Sequence, residues 1–315
     1  MCELQPGKRL GVLAIIVSTL GFCVYPILGK FVFAGGANVV TVLFVRFGVA
    51  SLVFWTLILL KDGRPKIKAQ VWMFVLFAGG AGYGGMAGLY LYSVRFIPAS
   101  LASLIFYSFP FMVTVISILT HQERLSRFKV LGLSSSSCGL VLVLGFNLAG
   151  INLAGALITF SAAAVHSFNV LAGNRIVKAM PPLVSTAIIS SGAALACGSV
   201  GLVSGFTWDL SVVAWLGIGG ITLFSSVIAM LCFYQGMRIV GASAASILSM
   251  LEPVMTGILA FLFLGERLSL LQGIGGALVI IGGAIVAWMP VTEQPSLLSY
   301  DSSGVKDENL VQHQG

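Results

Sequence analysis

Glu252 stands inside a long apolar stretch, 242–264, with Leu251 before it and Pro253 after it. A charged side chain at the centre of a bilayer costs about 2.5–3.5 kcal/mol on insertion scales. A glutamate avoids part of that cost by taking up a proton. Such a group can bind a cationic solute or exchange a proton. It can equally be structural, hydrogen-bonded beside Pro253, whose ring frees a backbone carbonyl one turn earlier and loosens the helix. Ser246, Ser249, Glu252 and Thr256 are spaced so that they share one helix face. Serine and threonine also occur at such places because they are small enough for close helix packing.

Other polar residues lie in apolar runs. Arg46 is about seven residues into its run, roughly 10 Å from one edge at helical rise. An ion pair with Glu252, an anion site, and a side chain that reaches back to the outer surface all fit it. His166 and Asn169, three apart, share a face; the histidine could carry protons near neutral pH or serve as a hydrogen-bonded structural residue. Tyr83, Ala87 and Tyr90 share a face of another run, and Gly80, Gly84 and Gly88 form a small-residue stripe suited to close helix contact. Residues 82–87, GYGGMA, match a glycine-rich dinucleotide pattern, but no strand-turn-helix unit surrounds them, and that reading is rejected. Glu123-Arg124 and Glu266-Arg267 follow apolar runs and read as caps or loop ion pairs, with a gating latch as the sharper alternative.

The elements that must position these residues are membrane helices. Of 315 residues, 58% are apolar and 9% charged, against about 25% charged in a soluble domain. The mean hydropathy is +1.04. Runs long enough to span lie near 10–29, 39–60, 71–94, 99–119, 128–148, 153–173, 182–204, 212–236, 242–264 and 268–288. The first reads as an uncleaved helix rather than a signal peptide. The polar segment 290–315 reads as a disordered cytoplasmic tail. Cys23, Cys138, Cys197 and Cys232 lie in apolar runs and read as buried helix residues, not as disulfides or metal ligands. The net charge of +7 reflects loop chemistry rather than a nucleic-acid partner. With the N-terminus inside, one side holds Lys8, Arg9, Lys61, Arg64, Lys66, Lys68, Arg124, Arg127, Lys129, Arg175, Lys178, Arg238 and Lys306; the other holds only Lys30, Arg95 and Arg267. The positive-inside rule then predicts both termini in the cytoplasm.

The chain repeats itself. Comparing 91–126 with 234–269 gives 12 identities in 36 positions, including Ser103/Ser246, Pro110/Pro253 and Glu123/Glu266. Gly132/Gly275 and Gly139/Gly282 extend the match, and a shift of 144 pairs Gly29 with Gly173. Five helices therefore repeat as five, and the second copy enters the membrane from the opposite side. The fold class is an all-α membrane protein of ten transmembrane helices, built as two inverted five-helix repeats over 1–148 and 149–289. On the face of Glu252, the first copy carries Ser103, Phe106, Phe109 and Val113. One wall is polar and acidic and the other aromatic, which suits an amphipathic or aromatic solute. The counterparts of His166 and Asn169 are Phe22 and Tyr25.

LEPV at 251–254, LGERLSLLQGIGGALVIIGG at 264–283, the weaker SFPF at 108–111 and HQERLS at 121–126, and Arg46-Phe47 together resemble the drug/metabolite transporter superfamily, in its EamA-like ten-helix branch. The resemblance covers roughly 10–289. It implies a central cavity between the halves, alternating access, and export or exchange of metabolites, amino acids or amphipathic drugs. Phe109 departs from symmetry, so one half alone carries an acid before its proline. The expected function is a secondary transporter, acting in efflux, with Glu252, Ser249, Thr256, Arg46, Tyr25, His166, Asn169, Tyr83, Phe106 and Phe109 as substrate-binding residues. No cofactor, metal or nucleic acid is expected. The partners are a small-molecule substrate and membrane lipid; proton coupling and a homodimer stay open. The expected location is a plasma membrane, as the inner membrane of a bacterium. A membrane-embedded enzyme and a channel or scaffold are the alternatives. The spans carry no paired acids, no His-x-x-x-His pair, and no cysteine beside a histidine.

Overall fold

The computed structural model describes residues 6–61, 69–93, 95–97, 99–145, 152–264 and 269–288. Expectations for Arg64, Lys66, Lys68, Glu266, Arg267 and the tail at 290–315 lie outside the described residues. Among those described there are helices and turns and no strand. Ten helices are long and apolar enough to cross a membrane. They are α1 (Gly7–Ala34), α2 (Val39–Lys61), α3 (Gln70–Tyr90), α4 (Leu101–Leu119), α5 (Arg127–Leu144), α6 (Leu153–Ala179), α7 (Pro182–Ser204), α8 (Val212–Val240), α9 (Ala242–Phe263) and α10 (Leu270–Ala287). Glycine, alanine and serine line their contacts, which is how helices associate when lipid is as apolar as leucine.

The packing has an approximate two-fold pattern, in which each contact recurs between counterpart helices. Helix α1 packs on α8 and α9, and its counterpart α6 packs on α3 and α4; α2 packs on α7, α4 on α9 and α5 on α10. The two copies are thus interleaved rather than separate bundles. The α5–α10 pair is the tightest example. A Cβ on Gly275 would lie 2.5 Å from the Gly139 carbonyl oxygen, and one on Gly282 would lie 2.6 Å from that of Gly132. Because 132 corresponds to 275 and 139 to 282, the two contacts are one contact seen twice. The stripe on α3 behaves as expected in two of three places: Gly80 and Gly84 face Gly192 and Ala196 of α7, whereas Gly88 has open space around it.

The irregularities repeat as well. Segments Ala78–Gly84 in α3 and Thr222–Ala229 in α8 are π-helical, and such bulges bend a helix where it carries function. Helix α4 breaks after Phe106 and α9 after Ser249. Each break falls four residues before a proline, Pro110 or Pro253, whose missing N–H and ring oppose the bond to that residue's carbonyl. Each spanning helix therefore becomes two half-helices meeting in its middle.

One expectation about the cysteines is corrected. Cys23 and Cys197 are buried and Cys232 is half-buried, but Cys138 is exposed. It lies one position before Gly139, the residue of α5 that meets α10, and a neighbouring helix position points to a different side.

Candidate functional site

The breaks carry the site. Glu252 lies in the first turn of the second half-helix of α9, Leu251–Leu264. Phe109 holds the same place in α4, at the start of Phe109–Leu119. The unpaired N–H groups of a helix start favour a carboxylate, so α9 uses its break to hold an acid while α4 uses the matching break to hold a ring. The breaks are anchored alike from the neighbouring repeat. The Ser167 hydroxyl donates to the Phe109 carbonyl at 3.2 Å, and the Cys23 thiol donates to the Glu252 carbonyl at 3.3 Å.

Around Glu252, the Tyr107 hydroxyl faces the carboxyl, and the Thr256 hydroxyl meets the Cys23 thiol. Ser249 donates to the Ala245 carbonyl at 2.9 Å and Ser246 to the Ser243 carbonyl at 2.9 Å. Those two serines satisfy their own helix, in keeping with the packing reading. Glu252, Tyr107, Ser249 and Thr256 are half-buried.

An aromatic band runs from Tyr107 across the molecule. Tyr107 lies 5.9 Å from Phe109 and 6.1 Å from Phe106, ring centre to ring centre. The His166 ring lies 4.6 Å from Phe109 and 5.3 Å from Phe106. Tyr83 follows at 6.2 Å from His166, and Phe47 at 6.0 Å from Tyr83. Edge-on contacts of this kind hold rings in fixed relation. Tyr90 closes the band from α3, meeting Phe106 edge-on at 5.1 Å and bonding to the Ser103 hydroxyl at 2.8 Å. The His166 Nδ1 is buried with no hydrogen-bond partner among the described residues. Asn169, one turn on, fills the space over Gly82.

Arg46 sits at the other end of the band. Its guanidinium lies 4.8 Å from the ring centre of Tyr25 and 4.5 Å from that of Phe47. With 8% of its surface exposed, it does not reach back to the membrane surface, which corrects that alternative; the ring faces attract the cation where it stands. No ion pair joins it to Glu252 among the described residues, and its Nε has no hydrogen-bond partner. Tyr83 lies within electrostatic reach of both charges. All ten expected residues are thus placed: Glu252, Thr256, Phe106, Phe109, His166, Tyr83, Asn169, Arg46 and Tyr25 border one band, and Ser249 ends the half-helix beside it.

Tyr107, Cys23 and Tyr90 belong to this neighbourhood although the sequence pattern did not single them out as site residues. Tyr107 escaped because it matches Met250 in the repeat. Glu123 is another correction. Its partner is not the adjacent Arg124, which is exposed, but Lys129, at 2.6 Å.

Residues 9–145 and 153–288 each match the EamA-like transporter family. An uncharacterized transporter of Bacillus subtilis (strain 168), YyaM, is 25% identical over 251 residues, covering 75% of this chain and 80% of that protein. A second from the same organism, YcbK, is 26% identical over 293 residues, covering 87% and 92%. A solved crystal structure superposes with a TM-score of 0.78 at 20% identity, covering 91% of this chain and 99% of the other, a likeness of fold. With both five-helix halves matched, the chain belongs to the EamA-like transporter family.

Proposed function

We propose that this chain is a secondary transporter that moves a small metabolite, amino acid or amphipathic compound across a bacterial inner membrane by alternating access, in the direction of export. The observation that carries this reading is the asymmetric pair of breaks. Two half-helix junctions, related by the two-fold, meet the same aromatic band, and only one bears an acid. Broken helices at the interface of inverted repeats are the places where transporters bind solute. The partial exposure of Glu252, His166, Tyr83, Tyr25 and Phe106 gives a solute a surface to meet, with an acid near one end and Arg46 at the other. Residues 1–148 and 149–289 supply the two related halves of this site, and the basic bias of the loops supports both termini in the cytoplasm.

The test is an uptake and counterflow screen in proteoliposomes, across amino acids, amines and nucleosides. Saturable counterflow of at least one class, absent from empty liposomes, is expected. Downhill flux that never saturates would favour a channel instead. Added to intact cells, a thiol reagent should label Asp209→Cys from the outside; labelling only after permeabilisation would reverse the orientation.

A further inference from the structure

Glu123 lies in the turn between α4 and α5, and the chain's local geometry drives it inward. His121 takes a left-handed conformation, φ 53°, and the N–H groups of Gln122 and Glu123 fold back on the Ser117 carbonyl at 2.9 and 3.1 Å. The result is a carboxylate with 7% of its surface exposed and two kinds of partner. Lys129, at the start of α5 and itself 5% exposed, donates to one oxygen at 2.6 Å and to the Arg124 carbonyl at 3.1 Å. The other oxygen accepts the backbone N–H of Ser243, at the start of α9, at 3.2 Å. Glu123 and Lys129 belong to the first repeat and Ser243 to the second. The contact ties one copy to the other at a single end of the bundle.

The opposite end is built differently. Lys129 corresponds to Gln272. The Gln272 side chain is taken up by its own helix start: its oxygen accepts from the Ser269 N–H at 2.8 Å, and its amide donates to the Val143 carbonyl at 3.4 Å. A neutral carboxamide engaged in this way stands where the first repeat has the lysine of its charge pair. The half-helix tied down by Glu123 is Ala242–Ser249, a rigid lever of roughly 12 Å at helical rise. Its far end is the break next to Glu252.

We propose that Glu123, Lys129 and the N-terminus of α9 form a gate latch that closes this end of the transporter. The pathway opens there when the Ala242–Ser249 half-helix leaves Glu123 and swings about Met250. Glu123 and Lys129 are positioning residues: they act on solute through the half-helix that leads into the Glu252 break. Because the opposite end lacks the lysine, the latch biases the resting protein toward closure at the end that carries the two termini. This rests on the reading of the chain as an alternating-access transporter.

The experiment is pulsed electron spin resonance on the full chain in liposomes, with its cysteines replaced and spin labels at Arg124→Cys and Arg238→Cys, both exposed positions. The parent and Lys129→Arg should share one short, narrow distance. Lys129→Gln, which leaves the bond from Glu123 to Ser243 in place, and Glu123→Gln should lose much of that population to longer distances. Folded Lys129→Gln protein with the parent distance would overturn the latch. So would failure of Lys129→Gln and Glu123→Gln to fold while Lys129→Arg folds, since the pair would then serve folding alone. The distance is read without any solute, so counterflow and latch can fail separately.

Discussion

The two repeats agree where they build the helix frame and differ in the charged side chains they carry on it. Prolines 110 and 253 break α4 and α9 at matching places, and the π-helical segments of α3 and α8 match as well. Gly132, Gly139, Gly275 and Gly282 cross in one repeated contact. Against this background stand Glu252 opposite Phe109, Lys129 opposite Gln272, and Arg46 on α2, for which α7 has no charged residue at all. Symmetric positions follow from packing one fold twice. Asymmetric ones are not demanded by that packing, and two of them place charge where burial is costly.

This division can be broken at three depths. The deepest is Gly139→Val. The added side chain would have to occupy the place of the Gly275 backbone, so α5 and α10 must part. The cost should exceed the roughly 1–3 kcal/mol typical of overpacking, and the variant should fail to elute as a single species in detergent. A variant with parental melting would mean that the helices do not meet through their backbones. Next comes Glu123→Ala. Removing one partner of a buried pair leaves the other charged and alone, at about 3–5 kcal/mol, and thermal unfolding in detergent should register a clear drop while Arg124→Ala registers almost none. Smallest in stability is Arg46→Met. Replacing a buried charge that has no acidic partner should leave stability unchanged or raise it, yet solute counterflow should fall steeply because one pole of the site is gone. Parental counterflow would remove Arg46 from the site and leave it a packing residue over Tyr25 and Phe47.

Much of the frame was legible in the residues. Apolar length located the ten spans, and the displaced 12-in-36 match located the repeat. The ends drifted: the first run, expected at 10–29, extends over Gly7–Ala34, because the helix continues through Lys30. The acid beside Pro253 was visible because a charge inside an apolar run stands out. Its surroundings were less visible. Tyr107 matches Met250 in the repeat, so the pattern gave no polar counterpart that would have paired it with Glu252. The partner of Glu123 was misjudged for another reason: a left-handed residue at His121 reverses the turn, and sequence spacing gives no sign of it. Depth along the membrane placed Arg46 within reach of Glu252, but lateral position, set by the packing of α2 on α7, gives it rings instead.

On the proposed function, the break of α9 differs from that of α4 because Glu252 handles solute. The most direct measurement is counterflow in proteoliposomes with Glu252→Gln, using a solute found in the screen, at several pH values. Glutamine keeps the shape and hydrogen-bonding capacity, so the variant should fold and melt like the parent. Its counterflow of a cationic or proton-coupled solute should fall at least tenfold, and what remains should lose the parent's dependence on pH. A folded variant with parental rates and parental pH dependence would contradict the account, make Glu252 a structural residue of the break, and move the site to the aromatic band around His166.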